Sequence, residues 1–177
     1  NLSTPYDFFA LRSWPVLSTT TPAIVHMLAE RAASYGYYLP LMYHDLTDEP
    51  FDEESQIYMY SRDLFRETVR DISGLNVWVD THARIYKYIR ERNAVKIGHI
   101  DMENAEAEPG HFSFELSDNL TDSIFDVELT LKIRLPETWT GDLVSLEMGD
   151  SLVQKQVRWE PGGKYVLFNS VPVEGRR

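Results

Sequence analysis

The chain has 177 residues, of which 43% are hydrophobic and 25% charged, and its net charge at pH 7 is −11. This composition is typical of a globular protein, and the negative charge argues against nucleic acid or an acidic membrane surface as a partner, because both require a basic face. Disulfides and thiolate metal sites are excluded because the chain has no cysteine. No apolar run reaches the roughly 18 residues of a membrane-spanning helix.

The first strong element in chain order is a helix that begins after Thr21. Thr21 suits the N-cap and Pro22 the first helical position, while apolar residues recur at helical spacing up to Gly36, which suits a left-handed C-cap. An apolar run at 37–43 then predicts a strand. Helix and strand in this order are typical of βαβ packing.

Two more helices are predicted before residue 97. Ser61 can cap the second, which Gly74 ends, and the third runs from Asp80 or Thr81 to about Arg92, after a short strand at 77–79. Residues 1–97 therefore read as alternating strands and helices. We expect a parallel α/β arrangement, either an open sheet or a barrel.

The hydrophobic period changes in the second half of the chain. Residues 98–111 are acidic and poor in apolar residues, which predicts a linker. From residue 112 apolar and polar residues alternate, most clearly over 127–135, and turn residues separate further strands at 112–116, 143–148, 152–159 and 165–171. We expect residues 112–177 to form a small antiparallel β-sandwich, so the predicted fold class is α/β followed by all-β.

The segment "LPLMYHDLTDEP" places His44 at the end of the strand predicted over 37–43. Sites in parallel α/β folds lie at the carboxyl ends of strands, and a neutral imidazole there can exchange a proton near neutral pH. The alternative is a structural histidine bonded to a backbone carbonyl. Position alone leaves both interpretations open.

The loop after His44 is acidic, and tyrosines are concentrated on both sides of it, at positions 35, 37, 38, 43, 58 and 60. A calcium loop is disfavoured because Pro50 stands where such a loop needs glycine. Tyrosine rings suit contact with sugars, and Tyr58 and Tyr60 are the predicted rim residues, although most tyrosines of this region are expected to pack in the core.

Several stretches resemble the carboxyl-terminal part of the polysaccharide deacetylases, the NodB-homology family of carbohydrate esterases. They are "LRSWPVLSTTTPAIVHMLAERAASYGYYLPLMYHDL" and "YSRDLFRETVRDISGLNVWVDTHARIYKYIRERNAV". The strand end "MYHD" matches the family's last Leu-x-His motif with Met42 in place of leucine. The β half resembles the domain that follows the catalytic domain in some of these enzymes, particularly in "LSDNLTDSIFDVELTLKIRLPETW" and "KYVLFNSVP".

This resemblance implies a distorted (β/α) barrel in which a divalent metal, usually zinc, is held by one Asp and two His. The residue that matches the proton donor to the leaving group is His44, the predicted catalytic residue. Met42 would line the pocket for the acetyl methyl group. Met42, Asp45, Tyr58 and Tyr60 are the predicted substrate-binding residues.

The family's Asp-Asp and His-x-x-x-His motifs are absent, so we predict no metal ligand in this chain. Because residue 1 is Asn, we expect a processed product, a trimmed chain or a fragment. An upstream segment of the same protein would supply the metal site.

The first hypothesis is therefore the carboxyl-terminal part of a metal-dependent deacetylase, with 1–97 the end of the barrel. It would act on a polysaccharide or oligosaccharide, and the analogy places it outside the cell or in the periplasm. The alternative is a non-catalytic glycan- or protein-binding module that uses exposed aromatics such as Trp139 or Trp159.

Overall fold

The computed structural model describes residues 7–8, 10–101 and 113–174. The fold divides into two compact units, Asn1–His82 and Ala83–Arg177. The first unit mixes helices with short strands, and the second is rich in β-strands. The coarse prediction of an α/β half followed by a β-rich half is thus confirmed.

Within its described residues, the first unit contains four short strands and two helices. In chain order they are β1 (Trp14–Val16), α1 (Pro22–Tyr35), β2 (Leu41–Tyr43), β3 (Asp45–Thr47), β4 (Met59–Ser61) and α2 (Arg62–Ser73).

Both helices begin and end where the sequence predicts. The side chain of Thr21 accepts a hydrogen bond from the N–H of Ile24, and that of Ser61 accepts one from Leu64. Gly36 closes α1 at φ 62°, a left-handed conformation that favours glycine. Local capping chemistry therefore sets the helix limits in this unit.

The strands of the first unit pair in parallel, as predicted. Strand β1 pairs with β2, and β3 pairs with β4. These pairs form two separate two-stranded sheets, and the described residues do not close into a barrel. The predicted strand at 77–79 is not formed. The N–H of Val77 instead bonds to the carbonyl of Leu75 at 2.9 Å, so the backbone makes a local turn there.

Pro40 lies just before β2, so its missing N–H interrupts no ladder. Its carbonyl instead accepts a hydrogen bond from the N–H of Trp14 at 2.9 Å. Strand β2 begins only at Leu41, so the proline lies outside the paired part of the strand.

The described part of the second unit contains helix α3 (His82–Ala94), except for its first residue, and eight strands. The strands are β5 (Lys96–Asp101), β6 (Ser113–Asp118), β7 (Leu129–Arg134), β8 (Leu143–Met148), β9 (Ser151–Gln156), β10 (Arg158–Glu160), β11 (Gly163–Ser170) and β12 (Val173–Glu174). They form sheets of order β12-β6-β5, β10-β11-β7 and β8-β9, all antiparallel except the β12–β6 pair.

Strand β7 has the alternation that the sequence predicts. Leu129 and the flanking Val127 and Leu135 are buried, whereas Lys132 and Arg134 are exposed. Leu135 packs with Val144 and Val166 in the core of this unit. The period of two therefore predicts both the strand and its buried face.

The structure differs from the predicted domain limits of 1–97, 98–111 and 112–177. The boundary between the two compact units follows His82, so nearly all of α3 belongs to the β-rich unit. Residues 98–101 lie in β5, where Gly98 pairs with Glu115 and Asp101 with Ser113. This part of the predicted linker is a strand because its backbone pairs with β6. Composition alone does not reveal such pairing. Residues 102–112 lie outside the described residues.

Candidate functional site

His44 lies at the carboxyl end of β2, between Tyr43 and the first residue of β3. The parallel pairing of Val16 with Tyr43 fixes where β2 ends. His44 and Met42 are both exposed. The structure thus places both residues at the strand end that the sequence predicts, with the imidazole accessible to solvent.

Tyr58 lies against His44, with the ring centroids 4.6 Å apart and the planes at 56°. The register of the next sheet explains this contact. Asp45 in β3 pairs with Met59 in β4, so the residues just before each strand, His44 and Tyr58, are also neighbours. Tyr58 remains 55% exposed. Two predicted site residues, 14 positions apart in sequence, are brought together by this register.

Tyr60 differs from its predicted place at a rim, because it has no exposed surface. Its ring packs against Tyr43 at 5.5 Å, and Tyr43 in turn contacts Phe65 at 5.0 Å. Tyr58 precedes β4 and lies in a turn, whereas Tyr60 is the central residue of that strand. A buried phenol does not contact a glycan, so Tyr60 is a packing residue in this structure.

The phenols of this aromatic cluster stay neutral at physiological pH. Burial, with a contribution from Tyr60, raises the pKa of Tyr43 to about 12. Burial also raises the pKa of Tyr60 above its ordinary value. Neither group is therefore suited to proton transfer, whereas the His44 side chain is exposed and in contact with Tyr58.

Two acidic side chains of the loop after His44, Asp48 and Asp52, are bound by groups of the same chain. Asp48 binds Arg62 at 2.6 Å, and Asp52 accepts hydrogen bonds from the N–H of Glu54 and the hydroxyl of Ser55. Those two bonds lower the pKa of Asp52. Asp45 is exposed next to His44. Within the part of the chain that the structure describes, no three Asp, Glu, His or Cys residues form a group able to hold a metal.

The β-rich unit contains a cavity of about 380 Å³ that sequence reasoning missed. Four elements line it, which is why no local motif indicates it. No carboxylate is among its lining residues, which are Tyr88, Arg92, Val95, Ile97, Phe114, Leu116 and 129–133.

The two tryptophans considered for glycan binding have different environments. Trp139 donates its indole N–H to the carbonyl of Gly141 at 2.8 Å and packs against the core. Trp159 lies in β10 and is 71% exposed. Of these two, only Trp159 offers an accessible ring.

Comparison with known proteins gives one weak relationship. The chain is 25% identical over 146 residues to a protein named gellan lyase from a Bacillus species. The match covers 81% of this chain and spans only 6% of the length of that protein. No family model and no solved structure matches the chain. Among the described residues, no helix is long and apolar enough to cross a membrane.

Proposed function

We propose that this chain is the carboxyl-terminal part of a polysaccharide deacetylase, in which His44 donates a proton to the leaving group. The observation that carries the proposal is the position of His44. The imidazole is accessible at the carboxyl end of a parallel strand, in the "MYHD" segment that resembles the family's last motif, and it is braced by Tyr58.

The roles of the residues follow from their surroundings. A protonated imidazole at this place can give its proton to the sugar nitrogen or oxygen as the acetyl group departs. Met42 and Asp45 lie on either side along the chain, where Met42 offers an apolar contact for a methyl group and Asp45 a hydrogen-bond acceptor. The exposed ring of Tyr58 supplies a flat surface for a sugar.

The divalent metal of such enzymes, zinc in the proposal, does not fit the described residues of this chain, which contain no suitable group of ligands. The ligands belong to polypeptide outside this chain, which we propose as its partner.

The relative supports a glycan as the substrate class. Gellan is a polysaccharide, and 81% of this chain matches a protein named for cleaving it. We accordingly propose a polysaccharide or oligosaccharide substrate and a place outside the cell or in the periplasm. The match to a small part of a far longer protein also favours a second candidate, a non-catalytic glycan-binding module.

His44→Ala tests the enzymatic proposal in the longest protein that contains this chain and its upstream sequence. Acetate release from acetylated chitin oligosaccharides and acetylated xylan is measured for both proteins. General acid catalysis contributes roughly 10²- to 10⁴-fold, so we expect turnover to fall at least about 100-fold. In the proposal His44 is not a metal ligand, so the zinc content of the variant should equal that of the wild type.

His26→Ala is the matched control, because His26 is a partly exposed helical histidine whose neighbour is Glu30 at 3.5 Å. This variant should keep wild-type turnover. Full activity of His44→Ala would remove His44 from the mechanism. A longer protein that binds glycan and releases no acetate would favour the binding module.

A further inference from the structure

The side chain of Trp159 in the β-rich unit is far more exposed to solvent than is usual for a tryptophan. It is the central residue of β10, at the edge of the β10-β11-β7 sheet, and 71% of its surface is exposed. Trp14 and Trp78 of the first unit are less exposed, at 43% and 49%. At this exposure the indole gains little from burial, so packing does not explain its size.

The indole is nevertheless held in place on one side. Trp159 pairs across the sheet with Lys164, whose ammonium lies 4.6 Å from the centre of the ring. That ammonium also donates to the carbonyl of Glu137 at 3.1 Å and to the carbonyl of Trp139. Lys164 is therefore fixed by two backbone acceptors while it contacts the ring. One face of the indole is backed by a cation, and the other is left to solvent.

The surroundings of Trp159 do not suit a protein-docking surface. Such surfaces need several hundred Å² of contiguous apolar area. Arg158 and Glu160 point to the opposite face of the strand, and the cross-strand partner on the face of Trp159 is the charged Lys164. A single flat apolar ring beside a cation matches a smaller ligand with one apolar face.

We infer that the open face of Trp159 is a sugar-binding subsite that accepts one neutral pyranose ring of a glycan. The C–H face of a pyranose is apolar and flat, so it suits an exposed indole ring. The backing by Lys164 lowers the entropic cost of binding because the ring is already fixed. The choice of a glycan as the ligand rests on the proposed function. The exposure of Trp159 and its contact with Lys164 are observed independently of that function.

The experiment uses the 177-residue chain with cellohexaose and chitohexaose as probes, one without acetyl groups and one with them. Binding is followed by calorimetry and by the indole N–H resonance of Trp159, assigned with Trp159→Phe. We expect that resonance to shift with at least one probe. Trp159→Ala should weaken the association roughly tenfold or more, because the loss of one aromatic stack corresponds to about that factor.

Two further variants separate the subsite from general effects. Leu152→Ala removes an apolar side chain that is 70% exposed in the same unit, and its affinity should equal that of the wild type. Lys164→Met removes the ammonium and keeps an apolar stem, so it should weaken binding by a smaller factor and broaden the Trp159 resonance. Circular dichroism verifies the fold of each variant.

The inference is overturned if neither sugar shifts the resonance, if Trp159→Ala binds as well as the wild type, or if Leu152→Ala loses as much affinity. These results are independent of the deacetylase proposal. Sugar binding without acetate release from the longer protein would leave the subsite standing and reject only the enzyme. Acetate release with no sugar bound at Trp159 would support the enzyme and reject the subsite.

Discussion

Glu91 shows how a single residue can tie one element to another. Its side chain has no exposed surface, and its Oε1 accepts a hydrogen bond from the N–H of Val127 at 3.0 Å. Its Oε2 has no hydrogen-bond partner within the described part of the chain. Burial raises the pKa of Glu91, and Asp118 and Asp126 add to this, while the hydrogen bond from Val127 and the charge of Lys87 oppose it.

The raised pKa of Glu91 predicts a pH dependence of stability. The folded state favours the protonated carboxyl of Glu91. Glu91 therefore does not destabilise the protein below its ordinary pKa of 4.5, and it becomes increasingly destabilising as the pH rises from there through the folded pKa. Glu91→Gln keeps an acceptor for Val127 and does not titrate. We therefore expect the free energy of unfolding of this variant, relative to the wild type, to increase with pH across that window in urea titrations.

Two comparisons make the Glu91 result specific. Glu91→Ala leaves the N–H of Val127 without its acceptor and should destabilise the protein by about 1–3 kcal/mol. Glu49→Gln changes an exposed carboxylate on the acidic loop and should follow the wild type at every pH. A pH-independent difference between Glu91→Gln and the wild type would contradict the assignment.

The limits of helix α1 are fixed by capping interactions at both of its ends. The Thr21 side chain caps the first turn, and the N–H of Gly36 bonds to the carbonyls of Ala32 and Ala33. Helix α2 also ends at a glycine, but Gly74 has φ −80° and lies in the right-handed region. The two glycines therefore have different physical roles despite their similar positions.

This difference predicts opposite outcomes for the same substitution. Gly36→Ala should destabilise the protein by about 1–2 kcal/mol, because a side chain in the left-handed conformation is strained even where space is open. Gly74→Ala should be neutral or stabilising by about 0.5 kcal/mol, since its new Cβ would meet only the carbonyl of Asp71 at 3.6 Å. Urea unfolding measures both, and equal losses would contradict the argument.

At the scale of the whole molecule, the division into units depends on contacts made by α3. Besides the bond from Val127 to Glu91, Lys87 forms an ion pair with Asp126 at 2.8 Å. The ring of Tyr86 lies 6.4 Å from that of Phe125. These contacts attach the helix to the segment that leads into β7, so the helix is part of the β-rich unit.

A pair of truncated chains tests this division. Residues 80–177 retain α3 and β5 and should unfold in one cooperative urea transition. Residues 98–177 lose the helix, leave the N–H of Val127 without Glu91 and remove the first residues of β5. We expect this shorter chain to unfold without cooperativity and to bind hydrophobic dyes. Cooperative unfolding of the shorter chain would instead support the boundary predicted from the sequence.

The sequence by itself determined the features that depend on neighbouring residues. The caps at Thr21, Ser61 and Gly36 follow from side-chain oxygens and a left-handed glycine, and the buried face of β7 follows from the period of two. The strand end at His44 was also predicted, because the apolar run stops there. Each signal lies within a few positions of the element that it specifies.

Only the tertiary structure decided which distant residues meet. The register of β3 with β4 brings Tyr58 to His44 and buries Tyr60, although the two tyrosines are two positions apart and look alike in sequence. Pairing with β6 makes residues 98–101 part of a strand, and Glu91 anchors α3 to the second unit. Burial and backbone pairing depend on partners far along the chain, and no local pattern carries that information.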